Sequence, residues 1–302
     1  MREPSFFIIG APKCGTTSLF QHLSGHPQVF AATNKEPFYF CTDMPGYRER
    51  TSRITNERDY LSLFAGATDA HLHLGEASVY YLFSRVAVTE ILHKYPAAKF
   101  IVILRNPVDM VYSFHSELLL GGEENMPCFE TAWSLQDARL SGKYIPAECR
   151  DSKVLQYRDV ARFGMQVNRL LGTVPRSQVF ITLLEDFRKQ PRQTYLDLLS
   201  FLELDDDGRQ DFPLVNACRV ARSRFLLQLL GSPPYPLSIL KRLTLGLLGR
   251  NNKFLRQVWE LNFKPFARRP QTLNMRKILV DEFSKDVADL SEILSRDLSH
   301  WL

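Results

Sequence analysis

The chain has 302 residues, 45% hydrophobic and 24% charged, with a net charge of +5. This is the composition of a globular protein that buries a full core. It excludes a disordered or collagen-like chain, and the mild positive excess suits a small anionic ligand better than nucleic acid. No apolar run reaches the length of a membrane span, and the first strand begins almost at the first residue, so neither a transmembrane segment nor a leader is expected. Five scattered cysteines, Cys14, Cys41, Cys128, Cys149 and Cys218, lack C-x-x-C spacing. They point to a reducing, cytoplasmic setting without a structural zinc site.

In chain order, strand patterns are predicted at Phe6–Ile9, Val29–Ala31, His71–Leu74, Lys99–Leu104 and Val179–Leu184. Between them, helical patterns run over Thr17–Leu23, Arg85–Lys94, Val108–Leu120, Phe129–Leu140, Tyr157–Leu171 and Gln193–Leu202. Alternating strands and helices predict an α/β fold with a parallel sheet flanked by helices. "KFIVIL" and "QVFITLL" are continuous apolar runs, as strands covered on both faces require. The pattern changes near residue 207. Between Lys241 and Lys277, ten basic residues stand against one acid, Glu260. Residues 207–272 are therefore expected to form a helical, basic cap within a single domain spanning 1–302. "PLSILKRLTLGLLGR" also reads as a basic amphipathic helix of the kind that touches membrane surfaces. The final pattern, "NMRKILVDEFSKDVADLSEIL", predicts a helix packed on the sheet.

Two stretches carry the chemistry. In "FFIIGAPKCGTTSLFQHL", an apolar strand ends at Gly10 and a second glycine, Gly15, precedes Thr16, Thr17 and Ser18 at the start of a helix. Glycines permit a tight turn close to a ligand, and the helix start then offers amides and hydroxyls to an anion. The nucleotide-hydrolase loop G-x-x-x-x-G-K-[ST] needs lysine after the second glycine. Here that place is Thr16, and the lysine comes earlier, at Lys13. In "KFIVILRNPVDMVYSFH", a buried strand ends at Arg105, Pro107 suits a first helical position, and Ser113 lies two turns on. Arginine at the carboxyl edge of such a sheet is placed to hold a second phosphate bidentately. No apolar strand ends in an aspartate suited to Mg²⁺, so a β,γ-phosphate with its metal is not the expected ligand.

These residues resemble the sulfotransferases that use 3′-phosphoadenosine-5′-phosphosulfate (PAPS). "APKCGTTSL" is similar to their 5′-phosphosulfate loop, and "RNPVDMVYS" to their 3′-phosphate motif. "NKEPFYF" resembles the lysine–glutamate stretch of glycan-type members. "YRDVARFGMQVNRLL", "QVFITLLEDFRKQP" and "LSRDLSHWL" resemble a soluble bacterial branch. The resemblance implies a phosphate-loop fold and sulfuryl transfer to an acceptor hydroxyl or amine, releasing 3′,5′-ADP without a metal. PAPS would be held by Lys13, Cys14, Gly15, Thr16, Thr17, Ser18, Arg105 and Ser113, with Lys13 at the bridging oxygen of the transferring group. Glu36 is the first choice as general base, with Lys35 beside it; Glu76, His115 and His22 are the alternatives. Aromatics of "PFYF" and "VYYLF" are candidates for an acceptor wall. Ala77 and Val79 depart from the lysine and proline frequent in glycan-type members, so no sugar acceptor is inferred. Competing readings are an ATP-dependent kinase or NTPase and a non-catalytic nucleotide-binding module.

Overall fold

A computed structural model describes residues 2–49, 54–213, 219–221, 263–265 and 272–302. Five strands form one sheet: β1 (Phe6–Gly10), β2 (Val29–Ala31), β3 (His73–Ala77), β4 (Lys99–Leu104) and β5 (Val179–Leu183). Their order is β2-β3-β1-β4-β5, and every pairing is parallel. β1 thus lies between β3 and β4, and Phe6, Phe7, Ile8 and Ile9 are fully buried. Phe7 meets Phe40, Tyr95 and Phe100 ring to ring at 6.1 Å in each case, which ties the sheet centre to the segment after β2. Parallel strands joined by helices are covered on both faces, and that explains the unbroken apolar runs.

The principal helices are α1 (Thr16–Ser24), α2 (Ala87–Lys94), α3 (Pro107–Gly121), α4 (Tyr157–Ala161), α5 (Phe163–Thr173), α6 (Pro191–Leu202) and α7 (Leu273–Leu294). β3 extends beyond the predicted His71–Leu74 through Gly75, Glu76 and Ala77, which pair with Phe6, Phe7 and Ile8. The helix expected over Phe129–Leu140 is interrupted at Leu135, giving Phe129–Ser134 and Gln136–Leu140. Likewise, the pattern over Tyr157–Leu171 breaks at Arg162 into α4 and α5. The cause is a cap supplied from far along the chain. Asp286 accepts hydrogen bonds from the Gly164 and Met165 amides at 2.8 and 2.9 Å, and Arg162 reaches Glu282 at 3.0 Å. Both acids lie on α7. That helix packs on α5 and α3, so the expectation that it lies on the sheet is corrected.

The chain divides into two compact units, Met1–Val215 with Gln271–Leu302, and Asn216–Pro270. Within the second, Arg219–Ala221 pairs antiparallel with Phe263–Pro265. Most of the predicted cap, including "PLSILKRLTLGLLGR", lies outside the described residues. Among the described residues, no helix is long and apolar enough to cross a membrane, and Cys14, Cys41, Cys128 and Cys149 are free thiols.

Candidate active site

The carboxyl ends of β3, β1 and β4 open side by side on one sheet edge, and each continues into a segment of the candidate site. After β1, the Ala11 amide donates to Ile103 O at 2.9 Å, which fastens the loop to β4. Lys13 and Gly15 both turn with positive φ, 60° and 100°. A Cβ on Gly15 would lie 2.7 Å from Leu184 Cδ1, so conformation and space both require glycine there. α1 then starts without a side-chain cap and without an acid in its first turn. Such a helix start has the electrostatics of an anion site. Thr16 and Ser18 are buried and Thr17 is half-buried at that start.

Cys14 sits differently. Its amide donates to Ala11 O and its thiol to Pro12 O, so both groups serve the turn itself. Burial pushes the thiol up to about 12, outweighing the opposing fields of Arg105 and Lys13. This sulfur is not a nucleophile at neutral pH.

From β4, Arg105 leans back across the loop. Its Nη1 donates to Lys13 O at 3.4 Å, and its Nη2 lies 3.7 Å from Asp109 Oδ2. The Asn106 side chain accepts from the Val108 amide and Pro107 follows, so the start of α3 is capped from within. Any second anion here would be met by side chains rather than by open helix amides. Asp109, Ser113 and Glu117 follow at four-residue steps along α3, and Ser113 is buried. Glu117 Oε2 accepts from Lys13 Nζ at 2.7 Å. Sequence reasoning missed Glu117; its four-residue offset from Ser113 is the signal that places it on the same helix face.

The segment after β2 supplies Glu36. Glu36 and Phe38 both adopt positive φ, 62° and 49°, a region that side-chain-bearing residues seldom occupy. The Glu36 amide donates to Ala77 O at 2.9 Å, and Lys35 Nζ donates to Glu36 Oε1 at 2.6 Å. Tyr80 links this segment to α3. Burial raises its hydroxyl well above the usual range, and the fields of Glu123, Glu36 and Glu117 all reach it. Beneath it, Tyr47 donates to Glu123 Oε2 at 2.5 Å, and Arg150 meets Glu123 Oε1 at 3.0 Å.

The alternative bases occupy other environments. Glu76 is fully buried and accepts hydroxyl hydrogen bonds from Tyr60, Ser78 and Tyr81. His115 pairs through Nε2 with Met126 O at 2.8 Å and packs against Phe129 and Tyr157. His22 is wedged between Phe187 and Phe212. Burial lowers both imidazoles. The structure therefore groups Lys13, Gly15, Thr16, Thr17, Ser18 and Arg105 around the β1 and β4 ends, with Ser113 buried further along α3. Glu36 is held at the neighbouring β3 end, while His22 and His115 belong to apolar packing.

Comparison with known proteins identifies the family and the fold. The family profile described as "Sulfotransferase domain" matches residues 3–212. The chain belongs to the sulfotransferase family. A sulfotransferase structure from Alicyclobacillus acidocaldarius superposes with a TM-score of 0.71 at 27% identity, covering 100% of this chain and 99% of that one. The sulfotransferase domain of the curacin biosynthetic pathway, at 15% identity and a TM-score of 0.50, shares the fold. Carbohydrate sulfotransferase 15 of Mus musculus is 31% identical over 147 residues, covering 36% of this chain and 26% of its own length. Human bifunctional heparan sulfate N-deacetylase/N-sulfotransferase 2 is 25% identical over 230 residues, 73% of this chain and 23% of that protein. The chain spans about a quarter of the length of these curated relatives. Membership of this family disfavours the kinase and NTPase reading.

Proposed function

We propose that this chain transfers a sulfuryl group from PAPS to an acceptor hydroxyl or amine and releases 3′,5′-ADP, working in the cytoplasm without a metal. The observation that carries the reading is the contact between Arg105 and the Lys13 carbonyl. It sets an arginine suited to a 3′-phosphate directly beside a loop suited to a 5′-phosphosulfate. Thr16, Thr17 and Ser18 would hold the 5′ end with the start of α1, and Arg105 with Ser113 the 3′-phosphate. The bound nucleotide would supply an activated sulfuryl group. Lys13 would offset charge on the leaving oxygen, and Glu36 would take the acceptor proton while Lys35 orients it. Catalysis is then mainly positioning plus electrostatic stabilisation. The residues numbered 207–272 would complete the same domain as a cap.

Calorimetry in EDTA tests the nucleotide, and labelled PAPS with pooled acceptors and mass detection tests the transfer. Affinity for 3′,5′-ADP should exceed that for ADP roughly tenfold or more, the cost of losing a charge-assisted contact. Equal affinities, or binding only of ATP with Mg²⁺, would restore the kinase reading.

A further inference from the structure

The segment that carries Glu36 is pinned to the β3 end at every second amide. Glu36 N donates to Ala77 O at 2.9 Å, Phe38 N to Ser78 Oγ at 3.1 Å, and Phe40 N to Tyr81 Oη at 3.3 Å. The last two acceptors are hydroxyls, and each has one proton of its own to place. Both protons go to one carboxylate. Ser78 donates to Glu76 Oε2 at 2.7 Å, Tyr81 to Oε1 at 2.9 Å, and Tyr60 also to Oε1 at 3.0 Å. Tyr60 is stacked on Tyr39 of the same segment at 4.5 Å, so a third arm closes on the loop through a ring.

We propose that Glu76 is a positioning residue: its carboxylate aims the Ser78 and Tyr81 hydroxyls so that they accept the Phe38 and Phe40 amides and hold the Glu36 loop in place. Only an acceptor-only group at position 76 satisfies both hydroxyls at once. A neutral carboxyl or an amide places a donor against one of them; the proton of that hydroxyl then loses its acceptor, and its lone pairs are shared between the new donor and the backbone N–H. The two positive-φ residues, Glu36 and Phe38, lie within the pinned stretch. Backbone of this kind persists only where its surroundings over-determine it, and the three pinned amides do that here. The role depends on the reading of Glu36 as the base, whereas the clamp itself can be observed without any acceptor.

The fully buried position also makes the clamp sensitive to pH. Burial raises the Glu76 carboxyl to about 7, although the Ser78, Tyr81 and Tyr60 hydroxyls draw it back down. The other titratable groups facing it are Tyr95 and Cys41. Above that value the carboxylate accepts from all three hydroxyls; below it the acid form breaks the pattern.

Amide hydrogen exchange with residue resolution, in wild type and in Glu76→Gln, Ser78→Ala and Tyr81→Phe, tests the inference. Ser78→Ala should release the Phe38 amide and leave Phe40 protected; Tyr81→Phe leaves an acceptor-free ring and should do the reverse. Glu76→Gln should release Phe38, because its amide oxygen keeps the two tyrosines while its nitrogen faces Ser78, and wild type should show lower protection of Phe38 at pH 6 than at pH 8. In turnover, Glu76→Gln should reduce kcat on the order of 10- to 100-fold through misplacement of the base. It should leave 3′,5′-ADP affinity unchanged and remove the acid limb near pH 7. Unchanged protection of Phe38 in Glu76→Gln, or an unaltered acid limb, would overturn the proposal. If Glu76→Gln does not fold, the two single-arm variants decide it: protection and kcat unchanged in both would equally overturn it. A Glu36→Gln enzyme with full turnover, alongside the predicted exchange pattern, would remove the base assignment and leave the clamp standing.

Discussion

Arg105 and Lys13 stand 92 positions apart in the chain and touch, guanidinium to carbonyl, at 3.4 Å. One residue closes β4 and the other lies in the loop after β1, so the adjacency of two strands brings together the two elements proposed to hold the nucleotide. The lysine ammonium points elsewhere, to Glu117. The two cations therefore have separable tasks.

Substitution should divide those tasks. Arg105→Ala should weaken 3′,5′-ADP binding about tenfold or more while ADP affinity changes little, since only the 3′-phosphate loses its partner. Lys13→Ala should instead lower kcat on the order of 100-fold, because charge on the leaving oxygen develops mainly in the transition state. Direct binding measurements beside single-turnover rates separate the two effects. An intact rate in Lys13→Ala would remove the lysine from the chemistry.

Glu36→Gln keeps the shape of the side chain and its contact with Lys35 but cannot take a proton. Turnover should fall on the order of 100-fold or more, with 3′,5′-ADP affinity nearly unchanged. His115→Ala is the informative control, because a ring bound to Met126 O and packed on Phe129 should cost stability rather than proton transfer. Greater loss of rate per folded molecule in His115→Ala than in Glu36→Gln would reverse the assignment.

The buried pair Arg139–Glu124 predicts a stability effect with no direct part in catalysis. Both side chains are fully buried, and Arg139 donates to both Glu124 oxygens at 2.7 Å, with Tyr157 adding a third bond. Burial alone would raise Glu124, but Arg139 and Tyr157 hold it below the usual carboxylate range. Glu124→Gln leaves the guanidinium underpaired and should cost about 3–5 kcal/mol in urea unfolding. Because the folded carboxyl is the stronger acid, this stabilisation is present above the unfolded value and is lost as pH falls through the folded one.

Glu76 predicts the opposite slope. Burial raises its carboxyl from the usual 4.5 to about 7, so between those values the native protein holds a proton that the unfolded chain has released. Because the unfolded chain solvates the carboxylate and the fold buries it, its contribution to global stability should be full below about pH 4.5, decline as pH rises to about 7 and stay level beyond, although the local clamp closes on the carboxylate form. Glu76→Gln should remove that decline from a plot of urea midpoint against pH. A slope that persists unchanged in the variant would mean that another group causes it.

Much of the candidate nucleotide side is legible in the sequence because its signals are local. Gly10, Gly15 and the run Thr16, Thr17, Ser18 sit within a few residues of one another, and Arg105 is marked by the apolar strand before it and Pro107 after it. What escaped depends on partners far away in the chain. β3 was cut short because Gly75 and Glu76 are poor strand formers, and the hydroxyls that satisfy Glu76 come from Tyr60, Ser78 and Tyr81. The break at Arg162 depends on Asp286, 122 residues beyond the Gly164 amide that it caps. Glu117 shares a helix face with Ser113 by its spacing, but its pairing with Lys13 is a tertiary contact. The base alternatives separated for the same reason: burial and packing, which distinguish Glu76, His115 and His22 from Glu36, are tertiary properties.

The order of the sheet has a consequence for how the chain folds. Loop and arginine are presented by β1 and β4, and the glutamate segment after β2 is held at the end of β3, so all three meet at the three central strands. Parallel neighbours of this kind can be joined only through long crossovers, whose closure entropy makes pairing slow. A fragment or intermediate containing β1 and α1 alone would present a turn with no Arg105 above it and no Ala77 to receive the Glu36 amide. Nucleotide affinity should therefore emerge late in refolding, in step with burial of Phe7, and the ligand would stabilise the finished sheet without templating its assembly.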